Sequence, residues 1–251
     1  MAAIQTALNL IAYTPARTGD DRRPVSVVHA LERTLPGLRL EWTITDDHQI
    51  LHLPQRDAWL ARARRDGGFP PVCNNDEQQP VMLSGMLRSS SSAPGGHALL
   101  EVHLELPLDG SGAAAADVLE AVAENARAFW GQASPSGFGS EVAQQLRHSA
   151  QRPESPPRGL PMLELPWHLS SPSIPFHLGW LNYGSADAAR AIGFPDVDRD
   201  EDLLARARRT ATGGWVVQLT DTPLDLDVPA HLDALKRAYA RFPEIGGRSR
   251  P

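Results

Sequence analysis

An α+β fold, with a mainly antiparallel sheet and helices packed on one face, follows from three observations. Residues 98–106 alternate strictly: Leu100, Val102, Leu104 and Leu106 fall on one side, and Leu99, Glu101, His103 and Glu105 on the other. Near the C-terminus, Leu232, Leu235, Tyr239 and Phe242 recur at helical spacing. Strands come in runs with helices between them, and one face of several strands is polar. An antiparallel sheet tolerates that pattern and a doubly covered parallel sheet does not. The first half suits a ferredoxin-like core with additions.

The elements follow in order. Ile4, Leu8, Leu10 and Ala12 mark one side of a first strand over residues 3–13, which Thr14-Pro15 closes because proline cannot donate to a ladder. Pro24 opens a helix with Val25, Val28, Leu31 and Leu35 on its apolar side, and Pro36-Gly37 ends it. Leu38, Leu40, Trp42 and Ile44 alternate as a half-exposed strand, with Asp46-Asp47 as its turn. A short helix starts at Pro54, with Trp59, Leu60 and Ala63 inward and Arg56, Arg62, Arg64 and Arg65 outward. Residues Val81–Leu87 and Ala98–Leu106 read as hairpin partners around a Ser/Gly/Pro tip, and residues 113–130 as a helix. Residues 131–175 hold eight of the 22 prolines and read as an irregular insert within a single domain spanning 1–251. Ala186–Ile192 and Asp200–Arg208 read as short helices. The organising stretch is Gly213–Phe242: Trp215, Val217 and Leu219 share one strand face, Asp227 is a natural N-cap, and a long helix follows.

Composition narrows the function classes. With 251 residues and 41% apolar content, the chain can bury a sizeable core without disulfides or metals. The single cysteine, Cys73, has no intramolecular partner, and the N-terminus lacks a secretory pattern, so a cytoplasmic location is expected. A net charge of −6 argues against nucleic acid or an anionic membrane as the main partner and permits a basic protein.

Motifs for catalysis and cofactors fail one by one. Gly110-Ser-Gly112 and Gly137-Phe-Gly139 lack the third glycine of a dinucleotide loop, and no Gly-Lys-Ser/Thr follows any glycine run. His48 and His52 are four apart but lie between a strand and Pro54, without a glutamate to complete a metal motif. Asp196, Asp198, Asp200, Glu201 and Asp202 imitate the start of a calcium loop. Glu201 then stands where glycine is needed, and the twelfth position is Ala207. The acids suit a helix N-terminus or a cationic partner. Cys73 sits beside Asp76 and Glu77, which oppose a thiolate. No cofactor, metal or catalytic residue is assigned. Trp180 and Tyr183, three apart, would share a face of a helix, either as an anchor for the insert or as a contact platform.

Six passages carry a resemblance. Asp20-Asp21-Arg22-Arg23, Ala30-Leu31-Glu32-Arg33, Leu35-Pro36-Gly37-Leu38, Trp180-Leu181-Asn182-Tyr183, Gly214–Asp221 and Pro229-Ala230-His231-Leu232 resemble an uncharacterised family common in myxobacteria. The last two blocks are also similar to immunity proteins of bacterial polymorphic toxin systems, the family numbered fifty-two. There a Gly-Trp…Tyr segment precedes a strand, an aspartate turn and an Asn-Pro-x-His helix start; here Val228 replaces the asparagine. The resemblance implies a protein that neutralises a cognate toxin by contact. Trp180, Tyr183, Asp196, Asp198, Asp200 and Asp202 are then the expected partner-binding residues, facing a basic toxin. Two alternatives stand beside it. One is a small-molecule or regulatory domain, marked by an apolar cavity. The other is an enzyme using His103 with Glu101 or Glu105, marked by a pocket where they converge.

Overall fold

A computed structural model describes residues 7–19, 21–62, 67–108, 112–146 and 157–248. In chain order the elements are β1 (Ala7–Pro15), α1 (Arg23–Thr34), β2 (Trp42–Ile44), β3 (Ile50–His52), α2 (Arg56–Ala61), β4 (Phe69–Cys73), β5 (Met82–Arg88), β6 (Leu99–Pro107), α3 (Gly112–Ala126) and β7 (Trp130–Pro135). There follow α4 (Phe138–Gln145), β8 (Leu181–Gly184), α5 (Ala186–Ala191), α6 (Glu201–Leu204), β9 (Ala207–Arg209), β10 (Trp215–Gln218) and α7 (Pro229–Arg241). Ile4, Asp20, Ala63, Arg64, Arg65 and the first part of Pro153–Pro161 lie outside the described residues.

All ten strands join one antiparallel sheet in the order β3-β2-β4-β5-β6-β1-β7-β8-β10-β9. The α+β class is as the sequence predicts. Strands β5-β6-β1-β7, with α1 after β1 and α3 between β6 and β7, reproduce the split βαββαβ arrangement of a ferredoxin-like core. Pairing β1 between β6 and β7 is what the alternation allows. Leu8, Leu10 and Ala12 lie in the main core, while Ile11 and Tyr13 meet Leu99 and Trp130 on the other side. Helices α1 and α3 pack together over the first side through Val28 and Leu31 of α1 and Leu119 and Val122 of α3, all fully buried.

Helices are not confined to that face. Val216 pairs across from Tyr183 on the α3 side, so its neighbours Trp215 and Val217 project to the other. There Phe194 meets Trp215 edge-on at 5.4 Å and Phe242 at 6.0 Å. The α7 stripe, with Leu235, Tyr239 and Phe242 buried, thus covers the second face at the β8–β10 end. The closing strand and helix act as a packed unit. The N-cap is Val228 rather than Asp227, which pairs with Arg158 at 2.8 Å instead.

The stretch 131–175 is not irregular throughout. Helix α3 stops at Ala126, four residues earlier than the periodicity indicates, because Arg127 turns left-handed (φ 56°). The amide of Ala128 then donates to Ala123 O at 2.8 Å, the six-to-one bond of a Schellman cap. Phe129 N–H donates to Tyr13 O, and β7 enters the middle of the sheet. Likewise, Asp200–Arg208 is not one helix: α6 ends at Leu204 and Ala207 begins β9.

Candidate functional site

The two ends of the sheet differ in what lies over the second face. At the β7–β10 end it is covered by α7, Phe194 and the chain around Phe176–Leu178. From β3 to β5 no helix lies over it among the described residues, while at the end of β6 and β1 Ala93 and Phe176 pack on Leu99 and Tyr13. Cross-strand register puts Ile50 opposite Ile44, Trp42 opposite Cys73, Cys73 opposite Met82, and Met86 opposite Glu101. These side chains therefore share one face, together with Ser84, His103 and Ile11. Four strands at ~4.8 Å spacing, β3 to β5, make the open part of this face roughly 15 Å wide.

Its surface is apolar where solvent should favour polar groups. Met86 is 55% and Ile50 48% exposed; Met82 is exposed too, and Ile44 and Trp42 are half-buried. Contiguous exposure of this kind marks an interaction surface more often than a solvated one. Burying each such side chain is worth on the order of 1.5–3 kcal/mol. A groove of about 560 Å³ runs along the same face, with Ile44, Ile50, Cys73, Met82 and Glu105 as its floor and the loop 74–80 as its wall. That loop is rigidified by Asn74, whose Oδ1 accepts from Val81 N at 3.0 Å, and by Asp76, whose Oδ1 accepts from Gln78 and Gln79. Asp76 and Glu77 on the wall and Glu105 on the floor make the groove acidic, and Asp46 and Asp47 stand exposed in the turn between β2 and β3. Cys73 is a free, buried thiol.

Glu101 and His103 do share this face, as the alternation predicts. Glu101 is buried and already occupied: Arg88 Nε donates to it at 2.5 Å and His103 Nε2 at 3.1 Å. Burial pushes its carboxyl up, but the His103 and Arg88 hydrogen bonds and the Arg88 charge outweigh that and hold it below the usual range. A carboxylate held ionised and saturated by two donors is an ion-pair anchor. The groove on this face reaches Glu105 but is lined by neither Glu101 nor His103. No group of three or more His, Cys, Asp or Glu among the described residues is placed to hold a metal ion. His48 lies in a turn and His52 on β3, so the shared helical face of that pair does not form.

The other expected partner-binding residues lie elsewhere. Trp180 is 0% exposed, and its indole N–H donates to Thr220 O at 2.9 Å. Tyr183 is buried on β8, with its hydroxyl on Glu124 of α3 at 3.0 Å. The chain here is extended rather than helical, so a spacing of three does not give a shared face. Neither side chain can meet a partner; they anchor the segment to the core. Asp200 is buried as well, bound to Arg241 at 2.6 and 3.0 Å. Asp198 and Asp202 are exposed and Asp196 half-buried, beside Arg199, Arg206 and Arg237. That mixture of signs makes no acidic patch. The open face itself escaped sequence reasoning, because its exposed Ile50, Met82 and Met86 are apolar and read like core positions.

A family model described as "Domain of unknown function (DUF5953)" matches residues 19–250. The chain belongs to this family. Among solved structures, this DUF5953 protein resembles "Pseudomonas aeruginosa T6SS protein PA0821" with a TM-score of 0.60 and 16% identity. The match covers 94% of this chain and 76% of that one, and at that identity it describes a shared fold. No curated protein matches the chain. No helix among the described residues is long and apolar enough to cross a membrane.

Proposed function

We propose that this DUF5953 protein is a cytoplasmic immunity-type binding protein that neutralises a cognate toxin by direct contact, with the open sheet face as its docking surface. The observation that carries this reading is the uncovered apolar strip Ile50–Ile44–Met82–Met86 with its acidic groove. Methionine and isoleucine in the centre supply apolar burial that adapts to a partner's shape. Asp76, Glu77 and Glu105 around them favour a basic partner, as does the net charge of −6. Blocking a toxin needs shape and charge rather than a catalytic group. The resemblance of Gly214–Asp221 and Pro229–Leu232 to immunity proteins supports the same reading, and a fold also found in a T6SS protein is compatible with it.

The test is direct. The product of the adjacent gene is expressed in cells with and without this protein, and the two purified proteins are titrated by calorimetry. Protection and a saturable complex weakened by Met86→Asp are expected. A complex indifferent to Met86→Asp and Ile50→Asp would move the interface off this face; absence of both complex and protection would remove the immunity reading.

A further inference from the structure

Strand β3 stands at one edge of the sheet. Thr45 N–H donates to Gln49 O at 3.0 Å and Leu53 N–H to Glu41 O at 2.8 Å. Bonded pairs alternate along an antiparallel ladder, so Gln49, Leu51 and Leu53 turn their backbone groups toward β2. Ile50 and His52 turn theirs outward, where no further strand follows among the described residues. Both residues are exposed, and no hydrogen bond to another described residue takes up their outward N–H and C=O groups.

An edge of this kind templates pairing with another chain unless charge, proline or a cover blocks it. The opposite edge is blocked: β9 carries Arg208 and Arg209, and Arg208 is tied to Asp117 at 2.5 Å and Glu120 at 2.9 Å on α3. In contrast, β3 reads Ile50-Leu51-His52, with neither charge nor proline. Ile50 is 48% and Leu51 47% exposed. Successive strand residues point to opposite faces, so Ile50 joins Ile44 on the open face while Leu51 lies beside Thr43 on the other. A partner laid flat on Met82 and Met86 does not reach Leu51. A strand added along the edge reaches both, because its own side chains alternate too.

Charge gives the sign of the occupant. Asp46 and Asp47 stand exposed just before β3, and neither meets a cation among the described residues; Asp47 accepts from the Thr45 hydroxyl. Arg56, just past β3, is engaged by Glu32 and Asp57. A second copy of the chain would bring the same net charge of −6, which opposes pairing here. We propose that the β3 edge takes up an extended segment of the basic partner as an added strand. That segment bonds to the main chain of Ile50 and His52 and sets a lysine or arginine beside Asp46 and Asp47. Main-chain bonds then give affinity and alternate side chains give specificity. The inference rests on the immunity-type reading above and names how the partner attaches.

The experiment is amide hydrogen exchange on ¹⁵N-labelled full-length protein, alone and saturated with the purified product of the adjacent gene. The Ile50 and His52 amides are expected to exchange faster than Leu51 in the free protein, and to slow by roughly tenfold or more in the complex. His52→Pro removes an outward N–H and no bond to β2, a place where edge strands tolerate proline. It is expected to keep the fold and to weaken the complex by roughly tenfold or more in calorimetry. His52→Ala keeps the N–H and loses only the ring beside Trp42, so it should bind like the parent. A saturable complex in which both amides exchange as in the free protein overturns strand addition and leaves the immunity reading standing. So does a folded His52→Pro that binds like the parent, or His52→Ala that loses as much as His52→Pro. Protection of both amides that grows with the concentration of the free protein gives the edge to a second copy and overturns the proposal as well. Absence of any complex removes both readings.

Discussion

Asp200 and Arg241 are joined by two hydrogen bonds, Nε to Oδ1 at 2.6 Å and the Nη2 group to Oδ2 at 3.0 Å, with the carboxylate wholly buried. The pair ties the start of α6 to the last turn of α7. The same aspartate receives the amide of Asp196 at 2.8 Å, and Arg241 also reaches Gly193 O. The acidic run is therefore a structural clasp at its centre with exposed acids around it.

Removing one partner of such a pair leaves a charge without compensation inside the protein. Asp200→Ala is expected to lower unfolding free energy by about 3–5 kcal/mol in urea titrations. Asp198→Ala, at an exposed site, should stay within about 0.5 kcal/mol of the parent. Equal small effects at both positions would show that the clasp contributes nothing.

How much of this was legible follows from what alternation and periodicity encode. β6 was read correctly because one face is core and the other polar, and α1 because Pro24 marks its start. β7 was missed for the opposite reason. All six of its residues are buried, so Trp-Gly-Gln-Ala-Ser-Pro shows no alternation, and the helix before it ends on an arginine rather than a glycine. β4 was hidden by Pro70 and Pro71; the irregular register between Phe69 and Val72 is what lets them sit in the sheet. For the site, sequence placed Glu101 and His103 together but could not show that no helix would cover Met82 and Met86. It also picked Trp180 and Tyr183 for their residue type, although tryptophan and tyrosine serve cores as readily as interfaces.

Trp180 and Tyr183 test the anchor role. Trp180→Ala empties a fully buried site and removes the donor to Thr220 O, so a loss of about 3–5 kcal/mol is expected. Tyr183→Phe removes only the hydroxyl on Glu124, for a loss of about 1 kcal/mol. Both should be read from denaturant midpoints. Near-wild-type stability of Trp180→Ala would contradict its place in the core.

Met86 separates binding from folding. It is exposed on the open face but pairs opposite Glu101, so Met86→Thr, which adds no like charge there, is expected to change stability by less than about 0.5 kcal/mol. If the face is the docking surface, the same change weakens the toxin complex by roughly tenfold or more. Raising salt should slow association with a basic partner, because the acidic groove no longer steers it across a ~10 Å screening length. A Met86→Thr variant destabilised by more than about 1 kcal/mol would mean that the face is covered in solution.

His177 carries the pH dependence. Its folded pKa is about 4, depressed by burial from the ordinary 6.5, so the unfolded chain takes up this proton first as pH falls. The native state therefore keeps its full stability above pH 6.5. It loses stability progressively as pH drops toward 4, by up to roughly 3 kcal/mol, since one pKa unit is about 1.4 kcal/mol. Glu101 acts in the same direction at lower pH, because its folded carboxyl is held below the unfolded value of 4.5 and its contribution disappears only as that folded value is crossed. Urea titrations from pH 7 to about 2 should show the first slope in the parent and lose it in His177→Phe. The steeper acid limb, belonging to the Arg88–Glu101–His103 cluster, should survive that substitution and diminish in Glu101→Gln. An unchanged slope between pH 6.5 and 4 in His177→Phe would mean that the imidazole is hydrated in the folded protein and is not the source of that slope.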